Sequence, residues 1–504
     1  MTNRQKFFLN GILLTVVGLA VRSVSLAFNS YVTKSIGAEG MGLFTLIGTV
    51  YSFAVTFATS GISLTVTRLV SSAIGEGRAR EEGRILRAAV LYALIFSLFA
   101  TAVLFFGASY FGKTVLSDSR TVVCLRILSV SLVPIALCSV FSGYFIGVKR
   151  VFKNAVVQVV AQVFKISITV FLVARFAHLG VEAATAALCL GMTLTEIAVF
   201  LAAFLQFLFD RRRISERGVE SRGHFHAVSS VALPLAVSAY IRSALLTLEH
   251  VLIPKRLRDS GESHNRSLAL YGTLHGMALP MLLFPMSPLS SFSGLLVPEF
   301  SESMARGERA RLKRLASEAI NTTLVYAIAT AVLLSLFSEE IGYAVYSSYD
   351  AGHYIAVMAP VLPIMYLDHV TDSMLKGIGE QVYSMWVNIS DSFLSIILVW
   401  VLIPRMGISG YAVVIVVMEG YNFILSAARL YSKIGFKINL FRSVLLPLLS
   451  ASLAALLSKR IFINAGSRTA PVWLILKIVF AASVFLGIYT AATLKINRKE
   501  KTIN

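Results

Sequence analysis

The sequence predicts an all-α polytopic membrane protein with about 14 transmembrane helices, built as two six-helix bundles related by a parallel repeat plus two C-terminal helices. Three observations lead there. The composition is too apolar for water. Apolar runs of membrane-crossing length recur along the whole chain. Short landmarks of the first half return in the second half at a nearly constant offset.

Of the 504 residues, 56% are hydrophobic and only 14% are charged, where a soluble domain carries roughly 25% charged residues. With a mean hydropathy of +0.76, lipid rather than water is the natural solvent. The net charge of +20 would suggest nucleic acid in a soluble protein. Here the charges fall in short loops between apolar runs, so anionic lipid head groups are their expected partner, and neither nucleic acid nor nucleotide is expected. Cys124, Cys138 and Cys189 all lie inside apolar segments without metal-ligand spacing, and read as small buried residues rather than redox or metal groups. The first apolar run is a retained helix: no small-x-small site follows it, and Arg22 interrupts it.

A bilayer core takes about 20 apolar residues per helix. That ruler gives segments at 7–33, 41–70, 85–108, 121–147, 153–175, 181–209, 227–253, 268–297, 317–337, 353–376, 382–403, 407–431, 443–463 and 471–494. With the N-terminus in the cytoplasm, the inner loops collect Arg78, Arg80, Arg84 and Arg87, then Lys149, Arg150 and Lys153. They continue with Arg211, Arg212, Arg213, Arg217 and Arg222, and with Arg306, Arg309, Arg311, Lys313 and Arg314. The basic tail adds Lys495, Arg498, Lys499 and Lys501, whereas the outer loop holding Glu339, Glu340 and Asp350 has no Lys or Arg. This positive-inside pattern places the chain in the cytoplasmic membrane with both termini cytoplasmic. One outer loop departs from it, at 254–267, with Lys255, Arg256, Arg258 and Arg266.

Arg22-Ser23 returns as Arg242-Ser243, Ser60-Gly61 as Ser293-Gly294, Pro134 as Pro363, and Gly180-Val181 as Gly407-Ile408. The offset stays near 220 to 230 residues, 233 at its largest, and spans six helices, an even number, so both halves insert in the same sense. Bundles at 1–225 and 226–440 follow, with a cleft between them, and 441–504 holds the last two helices and the tail.

Charges within apolar segments are the candidate functional groups, because a charge at the bilayer centre costs roughly 2.5–3.5 kcal/mol on insertion scales. Arg22 lies mid-segment, and Arg242 is its repeat mate. The planar guanidinium fork suits phosphate, so the pair is a candidate diphosphate clamp. The plain alternative is a structural arginine paired with an acid, for Arg242 most simply Glu249. Lys165 and Glu196, on successive segments, either line the same cavity or form an ion pair. Asp368, Asp372 and Lys376 share one helix face at i, i+4 and i+8. With Asn388, Asp391 and Glu419 they are candidates for coupling to Na+ or H+, against charge balancing within the bundle. Pro280, Pro285, Pro288 and Gly294 crowd one segment, where a missing amide donor predicts a bend that either gates or merely kinks. Residues 107–114 fit the phosphate-loop pattern literally, but they end a membrane segment rather than follow a strand, and are rejected as a nucleotide site. No HExxH or GxSxG occurs and no resident cofactor is expected.

Several stretches carry a resemblance. Val21-Arg22 is followed by Ser35-Ile36-Gly37-Ala38-Glu39-Gly40-Met41-Gly42-Leu43; Gly143-Tyr144-Phe145-Ile146-Gly147 closes the fourth segment; Leu296-Val297-Pro298-Glu299-Phe300-Ser301-Glu302 closes the eighth. Over residues 1 to about 435 the chain resembles the stage V sporulation protein B branch of the polysaccharide and lipid II flippases, within the multidrug/oligosaccharidyl-lipid/polysaccharide exporter superfamily. The resemblance implies alternating access without enzymatic chemistry, and a cavity whose basic residues hold the pyrophosphate of a polyprenyl-linked sugar. Arg22 matches one such position. A second arginine common further along that helix is replaced by Phe28 and Asn29. Asn388 and Asp391 fall in the region where some relatives hold sodium. A small-cation antiporter of the same superfamily would need an acidic or aromatic cavity instead. A membrane glycosyltransferase or polymerase would show a large extramembrane loop with catalytic acids, which the sequence lacks.

Overall fold

Inside a bilayer no water satisfies a backbone amide or carbonyl, so a spanning segment must satisfy them itself. The computed structural model describes residues 3–76, 81–148, 150–211, 222–462 and 471–503, and among these residues the regular structure is helical throughout. The chain begins with α1 (Asn3–Thr59), α2 (Ile62–Gly75), α3 (Glu82–Tyr110), α4 (Thr121–Ser129) and α5 (Leu132–Gly147). It continues with α6 (Val151–Phe176), α7 (Val181–Arg211), α8 (Arg222–Asp259) and α9 (His264–Tyr271). A broken stretch holds α10 (Leu279–Leu283) and α11 (Ser287–Ala305), followed by α12 (Arg309–Leu336), α13 (Ser338–Tyr346) and α14 (Tyr349–Met358). The last elements are α15 (Leu362–Gly377), α16 (Gln381–Met406), α17 (Ile408–Ile434), α18 (Leu446–Ile461) and α19 (Pro471–Ile503).

Every described part of the 14 predicted segments lies in or across these helices, but the count differs. Eleven described helical runs are long and apolar enough to cross a membrane, twelve when the bent pair α4–α5 is one span. The first two predicted segments share α1, which bends at Gly37, where φ is 73° and ψ is −179°. That left-handed backbone is open to glycine at little steric cost. The segment at 227–253 falls in α8, whose apolar run is interrupted by Arg242, Glu249 and His250. Large exposed side chains, among them Phe106, Phe171 and Phe209 at 81%, 72% and 69%, are what a lipid-facing surface requires. The protein is a multi-pass membrane protein.

Two compact units emerge, and their limits differ from the predicted 225/226 and 440/441 boundaries. One unit comprises Ser35–Lys255 and His264–Ala269; the other comprises Met1–Lys34, Arg256–Ser263 and Leu270–Asn504. The predicted 1–225 bundle therefore exchanges its first helix for most of α8. The physical reason is specific hydrogen bonding. Tyr240, Ser243 and Thr247 on one face of α8 reach the Phe57 carbonyl (3.1 Å), Thr56 Oγ1 (3.3 Å) and the Thr49 carbonyl (3.2 Å). The start of α1 instead bonds within the second unit: Asn29 to the Gly276 carbonyl at 3.0 Å, Lys34 to the Ala344 carbonyl at 3.2 Å, and Ser30 to the Val345 carbonyl. Helices α18 and α19, predicted to stand apart, belong to the second unit and seat a small core of Ala329, Ala451, Ala454 and Phe485 against α12.

Without a hydrophobic drive between helices in lipid, close approach rests on small residues and interhelical hydrogen bonds. Ser71 Oγ donates to the Gly147 carbonyl at 3.1 Å, and Ser301 Oγ donates to the Gly377 carbonyl at 2.8 Å. Both links span 76 residues and are offset by 230, so the repeat is written into the helix seams of each unit.

The exceptional basic loop at 254–267 is mostly helical. Arg256 pairs with Asp259 at 2.5 Å and lies over the Trp400 ring, 3.2 Å from its centroid. Part of its excess positive charge is thus answered within the protein. Of the inner-loop basic residues, Arg78, Arg80, Lys149, Arg212, Arg213 and Arg217 lie outside the described residues.

Candidate functional site

The crowded prolines break their helix where Arg22 meets it. Pro280 lies in the first turn of α10, Pro285 falls in a tight turn at Phe284–Met286, and Pro288 lies in the first turn of α11. Proline lacks an amide donor, so carbonyls one turn earlier lose their helical partners. Side chains from elsewhere in the unit bond to carbonyls of this broken stretch. Tyr366 donates to the Leu282 carbonyl at 3.0 Å, Arg22 Nη1 to the Leu283 carbonyl at 2.7 Å, and Tyr326 to the Pro285 carbonyl at 2.6 Å. Gly294 is exposed, with nothing within 4 Å of where a side chain would begin.

Arg22 is exposed, and its described hydrogen bond goes to that neutral carbonyl. Among the described residues it pairs with no carboxylate, which removes the simplest structural account of it. A guanidinium carries five donors in a fixed fork, so one bond leaves most of the fork available. Tyr366 and His369 are near enough to feel its charge.

In the same unit, α15, α16 and α17 gather the predicted acids. Lys376 Nζ lies 2.6 Å from Asp372, whose other oxygen accepts from Ser384. Asn388 donates to the Ser384 carbonyl at 2.7 Å. Asp368 accepts from Ser426 and lies within electrostatic reach of Asp372 and Asp391; Glu419 acts on both Asp368 and Asp391. The buried Asp368 Oδ1 and Asn422 Oδ1 have no hydrogen-bond partner among the described residues. Four carboxylates therefore converge with one lysine. Ser384 and Ser426 join them through hydrogen bonds, although nothing in the sequence sets these polar residues apart from their neighbours.

The other unit holds the remaining candidates. Lys165 on α6 lies close enough to Glu196 on α7 for their charges to interact. Beside them is a cavity of about 320 Å³ lined by Thr59, Ser63, Cys138, Ser139 and Ser142. Arg242 is exposed on α8 and forms no ion pair with Glu249, which is buried. Arg22 and Arg242 belong to different units.

One network escaped the sequence reading. Asp118, 3% exposed, takes Arg120 Nη2 at 2.7 Å and His264 Nε2 at 2.9 Å, while Arg120 Nη1 reaches Glu39 at 2.7 Å. Burial alone raises the Asp118 pKa; hydrogen bonds from Arg120 and His264 more than reverse this and hold it below the ordinary carboxylate value. Its members are 81 and 146 residues apart in pairs, and no local motif joins them.

The rejected phosphate-loop stretch runs from the end of α3 into a wide helical turn at Phe111–Val115, not from a strand into a loop.

Comparisons with known proteins agree with this architecture. The chain is 26% identical over 420 residues to stage V sporulation protein B of Bacillus subtilis (strain 168), covering 82% of this chain and 81% of the relative. To the lipid II flippase MurJ of the same organism it is 22% identical over 453 residues, covering 82% of this chain and 81% of the relative. A solved lipid II flippase MurJ in an inward closed conformation superimposes with a TM-score of 0.73 at 15% identity, covering 96% of this chain and 99% of the other, and so shares the fold. Residues 274–401 also match the MatE family. Because residues 8–304, more than half its length, match the polysaccharide biosynthesis protein family, the chain belongs to that family.

Proposed function

We propose that the chain is an alternating-access flippase that carries the diphosphate head group of a polyprenyl-linked saccharide across the cytoplasmic membrane, with its termini on the cytoplasmic side. The observation that carries this reading is Arg22: an exposed guanidinium within a membrane helix, bonded to a carbonyl and to no acid among the described residues. An anion entering a dry site needs compensating charge, and the fork supplies it with directional donors. The relatives named above are consistent with such a cargo. Arg242 is a second candidate phosphate ligand.

The match to the MatE family and the acids of α15–α17 favour a second reading, a cation-coupled antiporter of small cationic compounds. Proteoliposomes separate the two. The flippase moves a labelled polyprenyl-diphosphate disaccharide between leaflets and leaves a cationic dye where it was loaded. Dye extrusion driven by an ion gradient, with no lipid translocation, overturns the flippase reading.

Coupling to Na+ or H+ is part of the same proposal, with Asp368, Asp372, Asn388, Asp391 and Glu419 as the responding groups. Asp372→Asn and Asp391→Asn are each expected to lower transport and to remove its stimulation by an imposed gradient. Full gradient dependence in both variants takes the acids out of the mechanism.

A further inference from the structure

At one end of the second unit, where α18 and α19 pack beside the α12–α13 turn, lies a cavity of about 650 Å³. It falls within the size range of small-molecule sites, roughly 300–1,000 Å³. Four charged residues line it: Glu339 and Glu340 from the first turn of α13, Lys459 near the end of α18, and Lys477 near the start of α19. Ser458 Oγ donates to the Lys477 carbonyl at 2.8 Å, which fixes the two lysine-bearing turns side by side. The Tyr343 and Tyr349 rings, 5.0 Å between centroids, also line the cavity.

Only one loose ion pair forms among these four charges. Lys477 is only 7% exposed, yet its ammonium comes no closer than 3.9 Å to Glu340, beyond hydrogen-bond distance. The pair is thus held by charge alone, without a hydrogen bond, and an ammonium with three donors lines the cavity wall. Lys459 lies 5.7 Å from the centre of the Phe337 ring, and among the described residues neither it nor Glu339 forms an ion pair. A purely structural set of two lysines and two glutamates would collapse into two close pairs. This set stays open, with positive charge on the α18–α19 wall and negative charge on the α13 wall. Its complement is a zwitterion bearing an anion and a hydrogen-bonding cation a few ångströms apart. Around the lysines, Ile461, Ile475 and Leu476 are exposed at 59%, 60% and 45%, which offers a lipid-facing path for acyl chains. Trp473 on the same turn, with the two tyrosines, supplies the aromatic side chains that collect at head-group depth.

We propose that this cavity binds the head group of an aminophospholipid, with phosphate oxygens on Lys459 and Lys477 and the primary ammonium on Glu339 and Glu340. Such a lipid would wedge α18 and α19 against α12 and α13, whichever cargo the chain carries.

The test uses the purified full chain in detergent, with binding followed by calorimetry and by the midpoint of thermal unfolding. Dihexanoyl phosphatidylethanolamine is expected to bind and raise the midpoint. Dihexanoyl phosphatidylglycerol lacks the ammonium, and dihexanoyl phosphatidylcholine has one that donates no hydrogen bond; each is expected to bind at least about tenfold more weakly. Lys459→Met, Lys477→Met and Glu340→Gln are each expected to weaken phosphatidylethanolamine binding by a similar factor. Lys459, less buried than Lys477, keeps the test informative should Lys477→Met fold poorly. Equal affinity for the three lipids, or wild-type affinity in Lys459→Met, overturns the proposal. Equal affinity for soluble phosphoethanolamine overturns the assignment to a lipid.

Discussion

Arg22→Ala is expected to lower lipid-linked sugar flipping roughly ten- to hundredfold, the equivalent of one lost hydrogen-bonding contact to a charged group at about 1.5–3 kcal/mol. The effect on folding is expected to be small. The arginine's described bond is to the Leu283 carbonyl, a neutral acceptor, and such bonds contribute about 0.5–1.5 kcal/mol net. Against that, removal of a membrane-embedded charge relieves an insertion cost. Arg22→Lys keeps the charge and a donor but loses the planar fork, so it is expected to transport at an intermediate rate. Flipping and the thermal midpoint of both variants, measured side by side, check this. Wild-type flipping by folded Arg22→Ala removes the residue from substrate binding. A large fall in the midpoint with flipping otherwise intact shows that its role is to hold the broken helix between α10 and α11.

The largest stability effect is expected at the network that joins Asp118, Arg120, Glu39 and His264. Arg120→Ala takes from Asp118, a carboxylate only 3% exposed, its principal partner and takes a second contact from Glu39. Breaking a fully buried pair on one side costs about 3–5 kcal/mol; with Arg120 23% exposed and His264 still on Asp118, the expected cost lies toward the lower end of that range or below it. Hydrogen bonding to Asp118 holds the arginine pKa above its ordinary value, so Arg120 stays charged throughout any accessible range. The pH dependence is therefore carried by the depressed carboxyl of Asp118. A carboxyl depressed in the folded state contributes stability that is fully present above its unfolded value, near pH 4. That contribution is lost as the pH falls through the folded value. Unfolding midpoints measured from pH 7 down to pH 3 are expected to decline below about pH 4 in the wild type. They should decline less steeply in Asp118→Asn. Identical profiles, or an Arg120→Ala midpoint equal to wild type, would show that the network carries no stability.

The fold class was legible because lipid imposes a length and an apolarity that any reader of the sequence can measure. The offset landmarks were legible too, and the hydroxyl links from Ser71 to Gly147 and from Ser301 to Gly377 give them a physical meaning. The membership of α1 and α8 was not. Which face of Tyr240, Ser243 and Thr247 would find Phe57, Thr56 and Thr49 is decided by packing across nearly two hundred residues. In the candidate site the charged residues announced themselves by being out of place in apolar runs. Their uncharged partners did not: Tyr326, Tyr366, Ser384 and Ser426 belong to residue types common in any membrane helix, and matter through position. The Asp118 network lay hidden for a related reason, since its members look like ordinary loop charges until the fold brings them together.

The glycine seams divide the surface for anyone who wishes to attach a probe. A side-chain carbon at residue 143 would stand 2.5 Å from the Ser63 carbonyl oxygen, and one at residue 377 would stand 2.7 Å from Phe300 Cβ and 2.9 Å from the Val297 carbonyl oxygen. Backbone cannot step aside as a flexible side chain does, so a spin label or fluorophore there would pry α2 from α5, or α11 from α15, and report on a protein it had already deformed. Phe106, Phe171 and Phe209 already project a large ring outward at 81%, 72% and 69% exposure, so a reporter of similar bulk at those positions would ride on α3, α6 and α7 and leave the seams closed.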